Sequence, residues 1–94
     1  ALDLGRSMGF ETFNHENYCG TLLWKGESDT EIGFFGHADV VPAGNGWTCC
    51  EPFKPVVKDG LLIGRGVSDN KGSFMTALCA LKYLKEQLPL FLWM

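Results

Sequence analysis

The chain has 94 residues, room for one small domain with a thin core. Hydrophobic residues make up 46% and charged residues 20%, a globular rather than a disordered balance. The net charge of −3 comes with no cluster of Lys or Arg, and no run approaches the roughly 18 apolar residues that span a bilayer, so neither a nucleic-acid nor a membrane partner is expected.

Residues 1–8 read as the end of a helix, with Leu2, Leu4 and Met8 apolar and Gly9 as its stop. Phe10–Phe13 alternates and predicts a strand, Asn14–Asn17 a polar turn, and Tyr18–Trp24 a second strand rich in β-formers. A loop follows over Lys25–Thr30. Glu31–Gly36 is a nearly continuous apolar run, the pattern of a strand buried on both faces. Val41–Pro52 is a loop punctuated by Pro and Gly. Phe53–Lys58 and Leu61–Arg65 flank Asp59-Gly60, a pair that tolerates positive φ at both positions and so predicts a tight hairpin. Gly64–Gly72 is a glycine-rich turn. From Ser73 to about Gln87 the pattern is helical, with Phe74, Leu78, Leu81, Leu84 and Leu88 on one stripe, charged or polar Lys82, Lys85, Glu86 and Gln87 outward, and Pro89 as its end. Strands first, with a helix behind them, predict an α/β layer. With no repeat, low-complexity stretch or linker, the chain reads as one unit.

The N-terminus has no signal-peptide character, and the missing initiator Met suggests a processed chain or a fragment. Cysteines stand at 19, 49, 50 and 79 without a CxxC spacing, and Cys49 and Cys50 are too close to bridge each other easily. Free thiols in a reducing cytoplasm are the expectation.

Two constellations carry chemistry. Gly36-His37-Ala38-Asp39 follows the apolar run, and ligand sites form at the carboxyl ends of α/β strands. His37 can give a metal a neutral imidazole nitrogen, and Asp39, two residues on, can take the other ring N–H and fix the tautomer. A plain His–Asp hydrogen bond is the competing reading. The second constellation is Gly64-Arg65-Gly66-Val67-Ser68-Asp69-Asn70-Lys71-Gly72, where Asp69 has two oxygens able to bridge two cations. Here the competing reading is that Ser68 or Asp69 caps the helix. A phosphate loop is disfavoured. The order Lys71-Gly72-Ser73 is not the Gly-Lys-Ser/Thr of such loops, and Asp69 would repel a pyrophosphate.

Taken together with the loop Val40-Val41-Pro42-Ala43-Gly44-Asn45-Gly46-Trp47, then Pro52-Phe53 and Asp59-Gly60-Leu61 between them, the two signatures resemble the zinc exopeptidases of the aminoacylase/carboxypeptidase/dipeptidase group. The similarity is greatest to the bacterial Xaa-dipeptidase (carnosinase-like) branch and runs from Ala1 to about Leu88. It implies an α/β fold, a partial mixed sheet with flanking helices, in which residues 1–94 are the N-terminal portion of the metallopeptidase catalytic domain, without the lid domain and the C-terminal half. By the resemblance, His37 and Asp69 are metal ligands, Asp69 bridging two ions. Asp39 is the catalytic-site aspartate that clamps His37, and the Asp69–Asn70 peptide is cis. The implied cofactor is two zinc ions, with manganese or cobalt possible. The implied reaction is hydrolysis of dipeptides by a metal-activated water, with a glutamate as base. Substrate-binding residues are unknown.

The family's base is the first of two adjacent glutamates, and the second is a ligand. Here Glu11, Glu16, Glu27, Glu31, Glu51 and Glu86 all stand alone. The expectation is therefore weak or no metal binding and no hydrolysis by these 94 residues, and a tail that leaves the family pattern after Leu90. Unpaired strand edges and a half-covered helix face predict self-association. A non-catalytic module acting through self-association, and a fragment of a related amino-acid deacylase or desuccinylase, are the alternatives. His15 reads as solvated, Trp47, Pro52 and Phe53 as packing for the loop, and Arg65 as support for the turn. Lys71 is either a neutralising charge near Asp69 or a solvated lysine, and a thiol ligand at Cys49 or Cys50 is a minor possibility.

Overall fold

The computed structural model describes residues 1–91, and side chains as far as residue 87. It contains two helices and two small antiparallel sheets, a partial α/β arrangement, divided into two compact units. The first is Ala1–Gly33 and the second begins at Phe34.

In the first unit, helix α1 (Leu2–Ser7) stops at Gly9, whose φ of +85° is open to a residue without a Cβ. Strands β1 (Glu11–His15) and β2 (Cys19–Leu23) form an antiparallel hairpin, paired from Glu11 with Leu23 to His15 with Cys19. Phe10 does not open the strand as expected. Its N–H donates to the Gly5 carbonyl at 3.1 Å, and its side chain is buried as this unit's core residue. The helix lies directly on the hairpin because two glycines permit it. A Cβ on Gly5 would run into the Leu22 side chain, and one on Gly20 would come within 2.8 Å of Leu2. The polar turn also sits later than expected. Asn14 and His15 stay in the ladder, and Glu16 and Asn17 turn the chain at φ of +55° and +64°. The Asn14 side chain closes that turn by accepting the Asn17 N–H at 2.9 Å, so one residue serves strand and turn together.

In the second unit, β3 (Val56–Lys58) and β4 (Leu61–Ile63) pair across Asp59 and Gly60, whose φ values of +51° and +78° are those of the predicted tight turn. The strands are shorter than Phe53–Lys58 and Leu61–Arg65. Pro55 has no N–H to extend the ladder and lies against Gly64, while the Arg65 N–H goes to the Pro52 carbonyl at 2.7 Å instead. A π-type turn, Val67–Gly72, follows Gly66, which has φ of +87°, and leads directly into α2 (Ser73–Phe91). Within that turn Asp69 is extended, at φ −121° and ψ 98°. Leu78 is the buried centre of the apolar stripe on α2, Phe74 and Leu81 are half-buried, and Leu84 is exposed. The Lys82–Glu86 pair spans one helical turn at 3.5 Å.

Two further expectations are corrected. Glu31–Gly36 forms no strand. A strand buried on both faces needs neighbours on both edges, and none of the described strands pairs with it. Ile32, Phe34 and Phe35 are accordingly exposed, Phe35 at 98%. Pro89 does not end α2, which continues to Phe91. A proline in the last turn forfeits a single bond, to the carbonyl four residues back, and leaves little ladder beyond it to break. The side chain of Leu88 and the expected change of pattern at residues 92–94 lie outside what is described. Among the described residues no helix is long and apolar enough to cross a membrane.

Candidate metal centre

His37 and Asp69 are 32 residues apart in sequence and meet in space. The segment after Gly36 brings His37 to the turn before α2. The imidazole Nε2 stands 3.0 Å from Asp69 Oδ1, and Nδ1 stands 3.1 Å from both the backbone carbonyl and the carboxylate Oδ1 of Asp39. The three residues named from the sequence are thus together, with His37 between two carboxylates. Its side chain is about half exposed, at 49%, and Asp69 is open to solvent.

A fourth residue fastens the assembly and has no signal in the sequence. The Asn70 side-chain oxygen accepts the backbone N–H of His37 at 3.1 Å. That bond ties the end of one segment to the turn of another, a pairing that no local pattern announces. It also explains Gly36: a Cβ there would stand 2.9 Å from Asn70 Oδ1 and 3.2 Å from Phe74 Cβ. Gly72 is constrained more severely, since a Cβ would collide with the backbone carbonyl of Val67. The Asp69–Asn70 peptide is cis, as the resemblance implies. Neither Ser68 nor Asp69 caps the helix through its side chain. Thr76 donates its hydroxyl to the Gly72 carbonyl at 2.8 Å.

Electrostatics follows the geometry. The Asp39 carbonyl at Nδ1 is the main influence holding the His37 pKa above the usual imidazole value of 6.5, with the negative charges of Asp39 and Asp69 acting in the same direction and partial desolvation against them. Lys71 does not pair with Asp69; its ammonium folds back over Gly66, 3.1 Å from where a Cβ there would be. Arg65, expected to support the turn, instead holds the loop, donating to the Ala43 carbonyl at 3.0 Å and stacking on Trp47 at 5.3 Å, while Trp47 donates to the same carbonyl at 2.7 Å. Phe53 is exposed instead of packing the loop. His15, at the end of β1 in the first unit, hydrogen-bonds Thr21 at 2.9 Å.

The donor set fits a divalent cation. Two ligands at about 2.0–2.1 Å from one ion stand roughly 3.0–3.4 Å apart, and imidazole nitrogen with carboxylate oxygen suits zinc. The 3.0 Å between Nε2 and Oδ1 is such a bite. As a metal site it would be incomplete: among the described residues no group of three or more His, Cys, Asp or Glu side chains is placed to hold a metal ion.

Comparison with known proteins supplies the context. Residues 33–91 match the model of peptidase family M20/M25/M40. The chain is 44% identical over 90 residues to the Bacillus subtilis protein named "Putative dipeptidase YtjP", which covers 95% of this chain and 19% of that protein. It is 43% identical over 86 residues to the Beta-Ala-Xaa dipeptidase of Lactobacillus delbrueckii subsp. lactis, covering 90% of this chain and 18% of the relative. The chain therefore spans about a fifth of the length of the curated relatives it matches. No solved structure matches it significantly.

Proposed function

The chain belongs to peptidase family M20/M25/M40, and on that premise we propose that it carries part of the metal-binding machinery of a dipeptidase, as the N-terminal portion of the catalytic domain. Peptidases of this family are generally metal-dependent. The observation that carries the reading is the convergence of His37 Nε2 and Asp69 Oδ1 at 3.0 Å with Asp39 behind the imidazole. Nε2 offers its lone pair to a cation. Asp39 accepts the Nδ1 proton and so holds the ring in the tautomer and orientation that free Nε2. Asp69 turns one oxygen to His37 and keeps the second for another partner. Asn70 and Gly36 hold the two segments at that spacing. When bound, a pair of zinc ions (or manganese or cobalt) supplies Lewis-acid polarisation of a peptide carbonyl and acidifies a water. Dipeptides are the proposed substrate, after the names of the relatives. The cytoplasm is the proposed location, supported by four cysteines that are all free.

The test has two readings. Calorimetry with zinc or manganese on the 94-residue chain should give weak binding that His37→Ala abolishes. Dipeptide hydrolysis by the same chain should not exceed that of the His37→Ala control, because no adjacent pair of glutamates is present to act as base and ligand. Metal binding unchanged in His37→Ala would overturn the assignment of the site. Hydrolysis that the control abolishes would overturn the proposed inactivity of this chain.

A second reading, self-association as a non-catalytic module, draws on the exposed Ile32, Phe34 and Phe35. Light scattering across a concentration series measures it directly. A monomer at all concentrations removes it.

A further inference from the structure

The loop before β3 holds two thiols that the metal site does not use. Cys49 is exposed and lines an open cleft of about 340 Å³ together with Trp47, Thr48 and Arg65. Cys50, the next residue, is half-buried, and its thiol donates to the Ile63 carbonyl at 3.6 Å. At 3.6 Å that contact is weak, so the Cys50 sulfur can leave it to join its neighbour, which lines the cleft. The loop is pinned from below, since Trp47 and Arg65 both donate to Ala43 and stack on each other. Both thiols are free, and they lie in a bend of the chain, outside any strand.

We propose that Cys49 and Cys50 form a dithiol capture site for soft electrophiles that take two thiolates, above all monosubstituted trivalent arsenicals. Three considerations lead there. Consecutive Cα atoms are about 3.8 Å apart, below the roughly 4.4–6.8 Å that an unstrained disulfide spans. A bridging atom with sulfur bonds of about 2.3 Å separates two sulfurs by roughly 3.5 Å and removes that conflict. Zinc is the wrong occupant, because it needs at least three protein ligands and the described residues offer no third one here. An arsenical whose remaining valence is an As–C bond needs two thiols and no more, and thiolates are the soft ligands that it prefers.

The capture step balances without any oxidant. A compound R–As=O and two thiols give R–As(S–Cys49)(S–Cys50) and water. Two S–H bonds break, two As–S bonds form, and the arsenic oxygen leaves with both protons. Arsenic stays trivalent throughout.

The probe is phenylarsine oxide, added to the reduced full chain. Intact mass spectrometry should show one adduct per chain, resistant to excess monothiol and released by a small dithiol. Iodoacetamide labelling followed by peptide mapping should then find Cys49 and Cys50 protected, and Cys19 and Cys79 still reactive. Cys49→Ser and Cys50→Ser should each lower affinity by on the order of a hundredfold, because the second thiol no longer has a high effective concentration. The Cys19→Ser/Cys79→Ser double variant should keep the adduct. Protection mapping on the unmutated chain does not depend on any variant folding. An adduct that maps to Cys19 or Cys79, that links two chains, or that monothiol strips overturns the proposal.

Discussion

The segments Val56–Ile63 and Glu31–Gly36 are both short and largely apolar, but their hydrogen bonding is opposite. The first closes on itself through Asp59 and Gly60, so each strand finds its partner two residues away. The second has no partner among the described strands and leaves Phe34 and Phe35 exposed. Apolar composition makes a strand possible. A partner makes it a strand, and only the hairpin carries its partner within the same few residues. The turn Val67–Gly72 is intermediate. It is local in its backbone, but its use, holding Asp69 and Asn70 against His37, comes from a segment more than 30 residues earlier.

Substitutions can break or sharpen this contrast. The largest effect is expected at Gly72→Ala, where the added methyl meets the Val67 carbonyl and cannot be accommodated by a side-chain movement. A loss of about 3 kcal/mol is expected from denaturant unfolding, together with loss of whatever metal affinity the chain has. An unchanged midpoint would mean that the turn is looser than described.

The next effect is on metal affinity. Asp39→Asn should weaken binding by about 10–100-fold in calorimetry, because it removes the carboxylate charge behind the His37 ring. The pH dependence has two opposite signs. His37 titrates above 6.5, so its charged contacts with Asp39 and Asp69 support the fold below that value, and this support is lost as pH rises through the raised midpoint. Metal binding needs the neutral ring and should strengthen over the same rise. NMR titration of the His37 ring should place its midpoint above 6.5, and Asp69→Asn should lower it. A midpoint unmoved by Asp69→Asn would show that the 3.0 Å contact does not persist in solution.

Smaller again is Gly60→Ala. Its φ of +78° strains any side chain, but nothing lies within 4 Å of the added methyl, so a loss of about 1 kcal/mol is expected, from conformation alone. The smallest effect belongs to Phe35→Ser. With the ring 98% exposed, stability should change by less than about 0.5 kcal/mol. A change of several kcal/mol at Phe35 would show that this segment is buried after all, and the contrast between the two regions would fail.

Much of the local structure was legible from residue types. Gly9 stops a helix, Asp59-Gly60 turns a hairpin, and the spacing of Phe74, Leu78 and Leu81 sets one face of α2, each because conformational preference and periodicity act over a few residues. His37, Asp39 and Asp69 were also legible as candidates, since few residue types can ligate or clamp. The small displacements have equally local causes. Phe10 leaves the strand for the core, Asn14 serves ladder and turn at once, and Pro55 shortens β3.

Other features were decided only in three dimensions. Asn70 holding the backbone of His37, Gly36 yielding to Phe74, Arg65 stacked on Trp47, and the Cys50 thiol resting on the Ile63 carbonyl all join residues 13 to 38 positions apart. The fate of Glu31–Gly36 belongs with them. Residue types determined what each segment of this protein could become, because φ preference and hydrophobic spacing are properties of neighbours in sequence. Which segments met, and so which side chains gained partners, was decided by the tertiary structure, because hydrogen bonds and contacts across such distances depend on where the whole chain runs.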